Sequence, residues 1–293
     1  MPLNKDSLSN TLIVATVLCL VCSLIVSVAA VGLKPLKDAN VDLDRKKNIL
    51  KVAGFTQEEI DESGGIIELF DKRFEAVIID LSTGEEAAED CETALEEAKG
   101  ANVENILVAY DQFWCSKSKK PSVSDKLGKK EDAAGIKYRE KYSHVFMLKS
   151  DDGSKTEKYV FPIRGYGLWS MLKGFISVEP DFQTVAGLTF YEHGETPGLG
   201  GEVENAQWKA KWPGKKIYQS GNVALKVSKG DQSVNEFGVD ALSGATITSN
   251  GVSNMMEYWL GPSGFGPYIE RQKNSASPAV SKKTASNSGG TNG

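Results

Sequence analysis

The chain has 293 residues, 40% of them hydrophobic and 25% charged, with a formal net charge of −5 at pH 7. That is enough apolar material for one good-sized core or two small ones, and it excludes a disordered protein. The charge is uneven, since Arg271 to Gly293 holds four basic residues and no acid and leaves 30 basic against 39 acidic residues elsewhere; no basic stripe with interleaved aromatics appears, so nucleic acid is not an expected partner.

In chain order, a short segment (1–10) precedes Thr11 to Leu33, which lies in a stretch without a charged residue from Ser7 through Leu33. At 1.5 Å per residue the segment spans about 34 Å, enough for a bilayer's hydrocarbon core. A single transmembrane helix (11–33) is the leading reading, and a cleaved signal peptide with Ser27-Val28-Ala29 or Val28-Ala29-Ala30 as its cleavage site is the alternative. Lys34, Lys37, Arg45, Lys46 and Lys47 outnumber Lys5. By charge alone this favours a cytoplasmic C-terminal domain, although long domains often translocate regardless. Cys19 and Cys22 have Cys-x-x-Cys spacing but read as small apolar packing residues inside a membrane helix. Cys91 and Cys115 give no disulfide framework, and their pairing stays open. The only two histidines, His144 and His193, exclude a multi-histidine metal site and leave few ways to build a histidine-based triad.

Residues 34–143 read as a membrane-proximal α/β region. Leu43, Ile49, Leu50 and Val52 suggest a short juxtamembrane helix that Gly54 ends. Thr56 with Glu59 makes a capping-box start for a second helix. Glu75 to Leu81 reads as a buried strand, Glu85 to Lys99 as a surface helix, and the lysine-rich Lys117 to Lys130 as an exposed loop. From His144 to about residue 270 the texture is short β-type runs: His144 to Leu148, Tyr159 to Ile163, Phe175 to Val178, Thr184 to Tyr191 and Ala224 to Val227. A helix starting near Ser249 places Val252, Met255, Met256, Trp259 and Leu260 on one core-facing stripe. The tail (271–293) reads as disordered. The expected fold is α+β: one N-terminal transmembrane helix, then a soluble mixed α/β domain with a largely antiparallel sheet.

The chemistry concentrates before the last helix, in Asp240-Ala241-Leu242-Ser243-Gly244-Ala245-Thr246-Ile247-Thr248. Ser243, Gly244 and Ala245 let a backbone or a bulky nucleotide come close. Thr246 is an accessible hydroxyl near a helix N-terminus, where unpaired N–H groups and the dipole favour a phosphate. On the residues alone, a simple Ser/Thr-rich cap and turn is the more economical account. Earlier, Pro197 with Gly198 and Gly200 gives a rigid-then-permissive turn, and Gly165 to Trp169 reads as a helix-start turn that packs Trp169 into the core. No Gly-x-Gly-x-x-Gly turn between strand and helix marks an NADH site.

Asp240 with Ser243-Gly244-Ala245-Thr246 resembles the flavinylation motif of the FMN-binding domain family. His193-Gly194-Glu195-Thr196-Pro197-Gly198-Leu199-Gly200 and Gly165-Tyr166-Gly167-Leu168-Trp169 resemble that family's other two blocks, in the expected order. The resemblance implies FMN esterified through its phosphate to Thr246 by a flavin transferase. It also implies cofactor contacts from Ser243, Gly244, Ala245, Asp240, Thr248, His193, Glu195, Thr196, Pro197, Gly198, Leu199, Leu168 and Trp169, with no metal. His193 and Glu195 can donate and accept hydrogen bonds at the edge of the flavin ring, and a solvated loop that caps its own turn is the alternative for both. Asp44 to Leu50 through Gly54, Tyr258 to Gly261 and Gly264 to Tyr268 are similar to the family of C subunits of the bacterial sodium-translocating NADH:quinone reductases. That similarity implies an electron carrier among partner subunits, which receives electrons from an iron centre and passes them to a neighbouring flavin subunit. It also implies a bacterial inner-membrane location with the flavin domain (144–270) periplasmic. Sodium is expected to pass through other subunits, because one helix without an internal carboxylate makes no polar path. The alternatives are the related G subunit of the Rnf complex and a non-redox membrane-anchored binding module.

Overall fold

The structure, a computed structural model, describes residues 8–87 and 124–276. Cys91, Cys115, most of the expected Glu85 to Lys99 helix and the first part of the Lys117 to Lys130 loop lie outside those residues. The protein is α+β, and by compactness it divides into Met1–Lys47 and Asn48–Gly293.

Helix α1, Leu8–Ala53, contains the apolar stretch and is long and apolar enough to cross a membrane. It continues past Leu33, through Pro35, and takes in the juxtamembrane segment expected as a separate helix. Proline removes one backbone donor without compelling a break, and no glycine follows before Gly54. There the helix ends in a Schellman motif: Gly54 has φ +109°, its N–H donates to Lys51 O at 3.0 Å, and Phe55 N–H donates to Leu50 O at 3.1 Å. Thr56 opens α2 (Gln57–Glu62) with the expected capping box: its Oγ1 accepts from Glu59 N–H, and its own N–H donates to the Glu59 carboxylate. Helix α3 is Ile66–Arg73.

Strand β1 (Phe74–Asp80) pairs with the later meander. After a turn at 81–84 the chain runs back beside it, with Glu86 bridged to Ile79, so residues 85–87 are extended where helix was expected. A short pair, β2 (Ser124–Lys126) with β3 (Tyr138–Glu140), leads into β4 (Tyr142–Lys149), β5 (Thr156–Tyr166), β6 (Met171–Val178) and β7 (Val185–Glu192). The five-stranded sheet has the order β1-β4-β5-β6-β7, antiparallel throughout.

Alternate residues of the central strands enter two different cores, as the strand period of two requires. Val145, Phe161, Ile163 and Ile176 join Val252, Met255, Met256, Trp259 and Leu260 of the helix Thr246–Leu260, the stripe expected from its spacing. Phe146, Val160 and Phe175 face Ile49, Leu50 and Val52 from the end of α1, Ile60 of α2, and Leu69 and Phe70 of α3. The sheet is therefore covered on both sides, and this explains why its strands read as near-continuous apolar runs. A last helix, Gly266–Ala276, enters the stretch expected to be disordered.

Beneath the sheet's functional end sits a buried ion pair. Arg164 Nη2 lies 2.5 Å from Glu140 Oε2 and also donates to Tyr138 O. Trp259 Nε1–H donates to Arg164 O at 2.6 Å, and its ring lies under the guanidinium. Removing one partner of such a pair strands the other, whereas replacing both does not. Glu140→Leu alone is therefore expected to destabilise the full chain by about 3–5 kcal/mol, and the double variant Glu140→Leu/Arg164→Met is expected to recover most of that loss. Chemical denaturation in detergent, followed by circular dichroism, measures both; equal losses in single and double variants would contradict the coupling.

Candidate functional site

Three segments converge at one end of the sheet: the β5–β6 turn (167–170), the loop after β7 (193–200) and the start of the helix Thr246–Leu260. Their junction is Glu195, which is 5% exposed. Its carboxylate accepts from the backbone N–H groups of Leu168, Trp169 and Ser170 at 2.9–3.1 Å. Oε2, which the Leu168 amide also reaches, accepts from Thr248 Oγ1–H at 2.6 Å. Burial alone pushes this carboxyl up, but the bonds from Thr248 and from the Trp169, Leu168 and Ser170 amides outweigh it, so its pKa lies below the usual glutamate value.

Glycines make the approach possible. A Cβ on Gly167 would meet Glu195 Oε1 at 2.7 Å, and one on Gly200 would meet Glu195 Oε2 at 2.6 Å and Thr248 Oγ1 at 2.7 Å. Gly251, one helical turn further on, packs against the backbone of Tyr166 and Gly167, where a Cβ would lie 2.4 Å from Tyr166 O. Ser170 adds a second tie, because its Oγ accepts from Gly194 N–H at 2.6 Å.

Thr246 is the first residue of its helix and is exposed. The N-cap residue, Ala245, has no side chain to offer that helix end. Before it, Ser243 is exposed and Gly244 takes φ +71°, a conformation glycine adopts freely. Gly244 lies so close to Leu199 that a Cβ would meet Leu199 Cδ2 at 2.9 Å. Thr196-Pro197-Gly198-Leu199 forms a turn closed by Leu199 N–H to Thr196 O, with Gly198 at φ +75° as a type II turn needs. Around this surface Leu168, Trp169, Leu199 and Ile247 are 40%, 66%, 44% and 56% exposed.

Several expectations change in this geometry. Trp169 is at an exposed hairpin tip instead of in the core, because Gly165 and Tyr166 extend β5 and no helix starts there. Glu195 is an internal tie with its oxygens occupied. His193 also turns inward: its Nδ1 accepts from Glu195 N–H at 3.2 Å and its Nε2 lies 3.1 Å from Glu204 Oε1. Asp240 ends a short strand, where its side chain is paired with Lys211 and accepts from Gln232 N–H at 2.7 Å, which holds its pKa low. Ser170, Gly251 and the exposed Ile247 were not singled out by sequence. The spacing Gly167 to Ser170 to Glu195 carries no local signal, since the contacts cross from one hairpin to the next.

An accessible hydroxyl on an uncapped helix end, beside exposed flat and branched apolar side chains, fits a ligand that is phosphate at one end and planar at the other. Residues 167–261 match the FMN-binding domain family. This places the chain among proteins with an FMN-binding domain. Over 271 residues it is 43% identical to the C subunit of the Na(+)-translocating NADH-quinone reductase of Pasteurella multocida, covering 92% of this chain and 96% of the relative. Identity to the protein of the same name from Vibrio anguillarum is 44% over 270 residues, with 92% and 96% coverage. The crystal structure of Shewanella oneidensis NqrC superposes with a TM-score of 0.64 at 32% identity, covering 78% of this chain and 96% of that one. The crystal structure of the corresponding Parabacteroides distasonis protein gives 0.56 at 26% identity, covering 81% and 96%. The chain belongs to the NqrC family, the C subunits of the Na+-translocating NADH-quinone reductases.

The depressed pKa of Glu195 predicts how stability depends on pH. Its stabilisation is complete above the unfolded value of about 4.3 and is lost as pH falls through the lower folded value. Glu195→Gln should therefore cost about 1–3 kcal/mol at pH 7, and parent and variant should converge in acid. Urea denaturation at a series of pH values measures the gap; a gap that widens on acidification would contradict the assignment.

Proposed function

We propose that this protein holds FMN esterified through its phosphate to the Thr246 hydroxyl and relays electrons within the Na+-translocating NADH-quinone reductase, from an upstream iron centre to the flavin of a neighbouring subunit. The observation that carries this reading is the contrast between two threonines on one helical turn. Thr248 is buried with its hydroxyl committed to Glu195, whereas Thr246 is exposed on the same uncapped end. In the attachment step the Thr246 oxygen forms a bond to the FMN phosphorus of FAD. The pyrophosphate bond breaks, AMP leaves, and the hydroxyl proton passes to the flavin transferase or to solvent, with Mg2+ on the transferase.

Bound FMN supplies the redox chemistry. The chain's own residues do the holding. Ser243 and Gly244 keep the approach to Thr246 open, and the first-turn amides favour the phosphate. Leu168, Trp169, Leu199 and Ile247 offer apolar surface to the ring, while Thr196, Pro197 and Gly198 shape the facing turn. Asp240, His193 and Glu195 act from behind, by fixing these loops. Helix α1 anchors the protein in the bacterial inner membrane, with the flavin domain on the periplasmic side.

Co-expression with a flavin transferase should give a polypeptide heavier by one FMN less water, and the denatured gel band should fluoresce under ultraviolet light. Thr246→Ala should abolish both signals; a modified chain that survives that substitution would refute the attachment site. In right-side-out spheroplasts, external protease should cleave the domain, and a domain left intact would reverse the topology.

A further inference from the structure

Glu195 is a buried carboxylate held by uncharged donors. Its oxygens accept from three consecutive backbone amides and the Thr248 hydroxyl, with Ser170 Oγ at 3.4 Å. Among the described residues no Lys, Arg or His forms an ion pair with it. With both oxygens occupied, it has little capacity left for a ligand. What it does is mechanical and electrostatic: one end fixes the turn bearing Leu168 and Trp169, the other fixes the helical turn that begins at Thr246, and a full negative charge stays inside the junction.

We propose that Glu195 is a positioning residue for the flavin, locking the 167–170 turn onto the first turn of the Thr246–Leu260 helix while its negative charge, paired with no cation among the described residues, makes the flavin harder to reduce. This rests on FMN being attached at Thr246. The electrostatic half follows from Coulomb's law: adding electrons near a fixed negative charge that is itself held out of solvent is opposed, and Thr248 and Leu168 bring that charge within hydrogen-bond reach of both walls of the site. The mechanical half follows from connectivity, because Glu195 bonds the turn and the helix directly, beside the close backbone approach at Gly251. Gly167 and Gly200 leave the carboxylate room to reach both walls.

The test uses the full chain, co-produced with flavin transferase and purified in detergent. Intact mass reports flavin loading, spectroelectrochemistry the midpoint potential, and visible circular dichroism the ring's surroundings. Glu195→Gln is expected to stay loaded while its midpoint potential moves to a more positive value; a loaded variant with the parent's potential overturns the proposal. Thr248→Val, which keeps the charge but cuts the tie to the helix, should change the visible dichroism, and Thr248→Ser should restore it. A Thr248→Val spectrum identical to the parent's also overturns the proposal, and this pair decides the matter if Glu195→Gln does not fold. A parent chain that carries no flavin mass sinks the functional reading and this proposal together, an outcome distinct from a loaded parent with indifferent variants.

Discussion

The candidate site depends on how one carboxylate is satisfied away from water. An ionised glutamate taken out of solvent is costly unless hydrogen bonds replace its hydration, and bonds to a charged group contribute about 1.5–3 kcal/mol each. Glu195 collects its bonds from three successive amides of one hairpin tip and one hydroxyl of a helix. Two segments far apart in sequence are thereby held in register by a single side chain. The requirement reaches outward to the glycines: a side chain at position 167 or 200 would displace the carboxylate itself. It also separates two neighbouring threonines, because Thr248 must face inward as a donor, and helical geometry then leaves Thr246, two residues earlier, on another face and in solvent.

That junction is precise only because its supports are stiff. The sheet is packed on both faces, by the Thr246–Leu260 helix on one and by the end of α1 with α2 and α3 on the other. Strand β5 ends where the 167–170 turn begins. Two residues earlier it is clamped by the Trp259 bond to Arg164 O and by the Arg164–Glu140 pair. Gly165 lies close under Met255, 3.1 Å from where its Cβ would be. The same helix that presents Thr246 at its first turn thus grips the strand carrying the opposite wall with its later turns.

Much of this was legible in the sequence, and the parts that were not share a cause. The strands of the five-stranded sheet, the core stripe from Val252 to Leu260, the Thr56–Glu59 capping box and the stop at Gly54 are local patterns, and the structure reproduces them; the run Ala224 to Val227 instead divides, with Ala224 and Leu225 between the short strands Asn222–Val223 and Lys226–Ser228. Thr246 was singled out by the resemblance of its motif, since its small neighbours and the helix that follows fit a plain cap and turn equally well. Trp169 could not be placed, because one aromatic after Gly-x-Gly is compatible with a core or a hairpin tip until β5 and β6 are known to meet there. Glu195 and His193, in a glycine- and proline-rich loop, look solvated. Their burial comes from partners in other segments, Ser170, Thr248 and Glu204, which no spacing rule connects. Helix α1 ran past its expected end because hydrophobicity marks where a bilayer stops, not where a helix does.

The proposed covalent loading of an exposed site would resolve a conflict between holding a cofactor and letting electrons reach it. Enclosure gives a flavin affinity through buried apolar area, but it also distances the ring from a redox partner. The side chains offered here, Leu168, Trp169, Leu199 and Ile247, remain 40–66% exposed, so non-covalent affinity from them alone would be modest. The phosphoester proposed at Thr246 would remove the demand for affinity and leave the surroundings free to set orientation and potential. On that reading the stable part of the site belongs underneath it, where Glu195, Thr248 and the three hairpin amides are, and the surface above can stay open to a partner subunit.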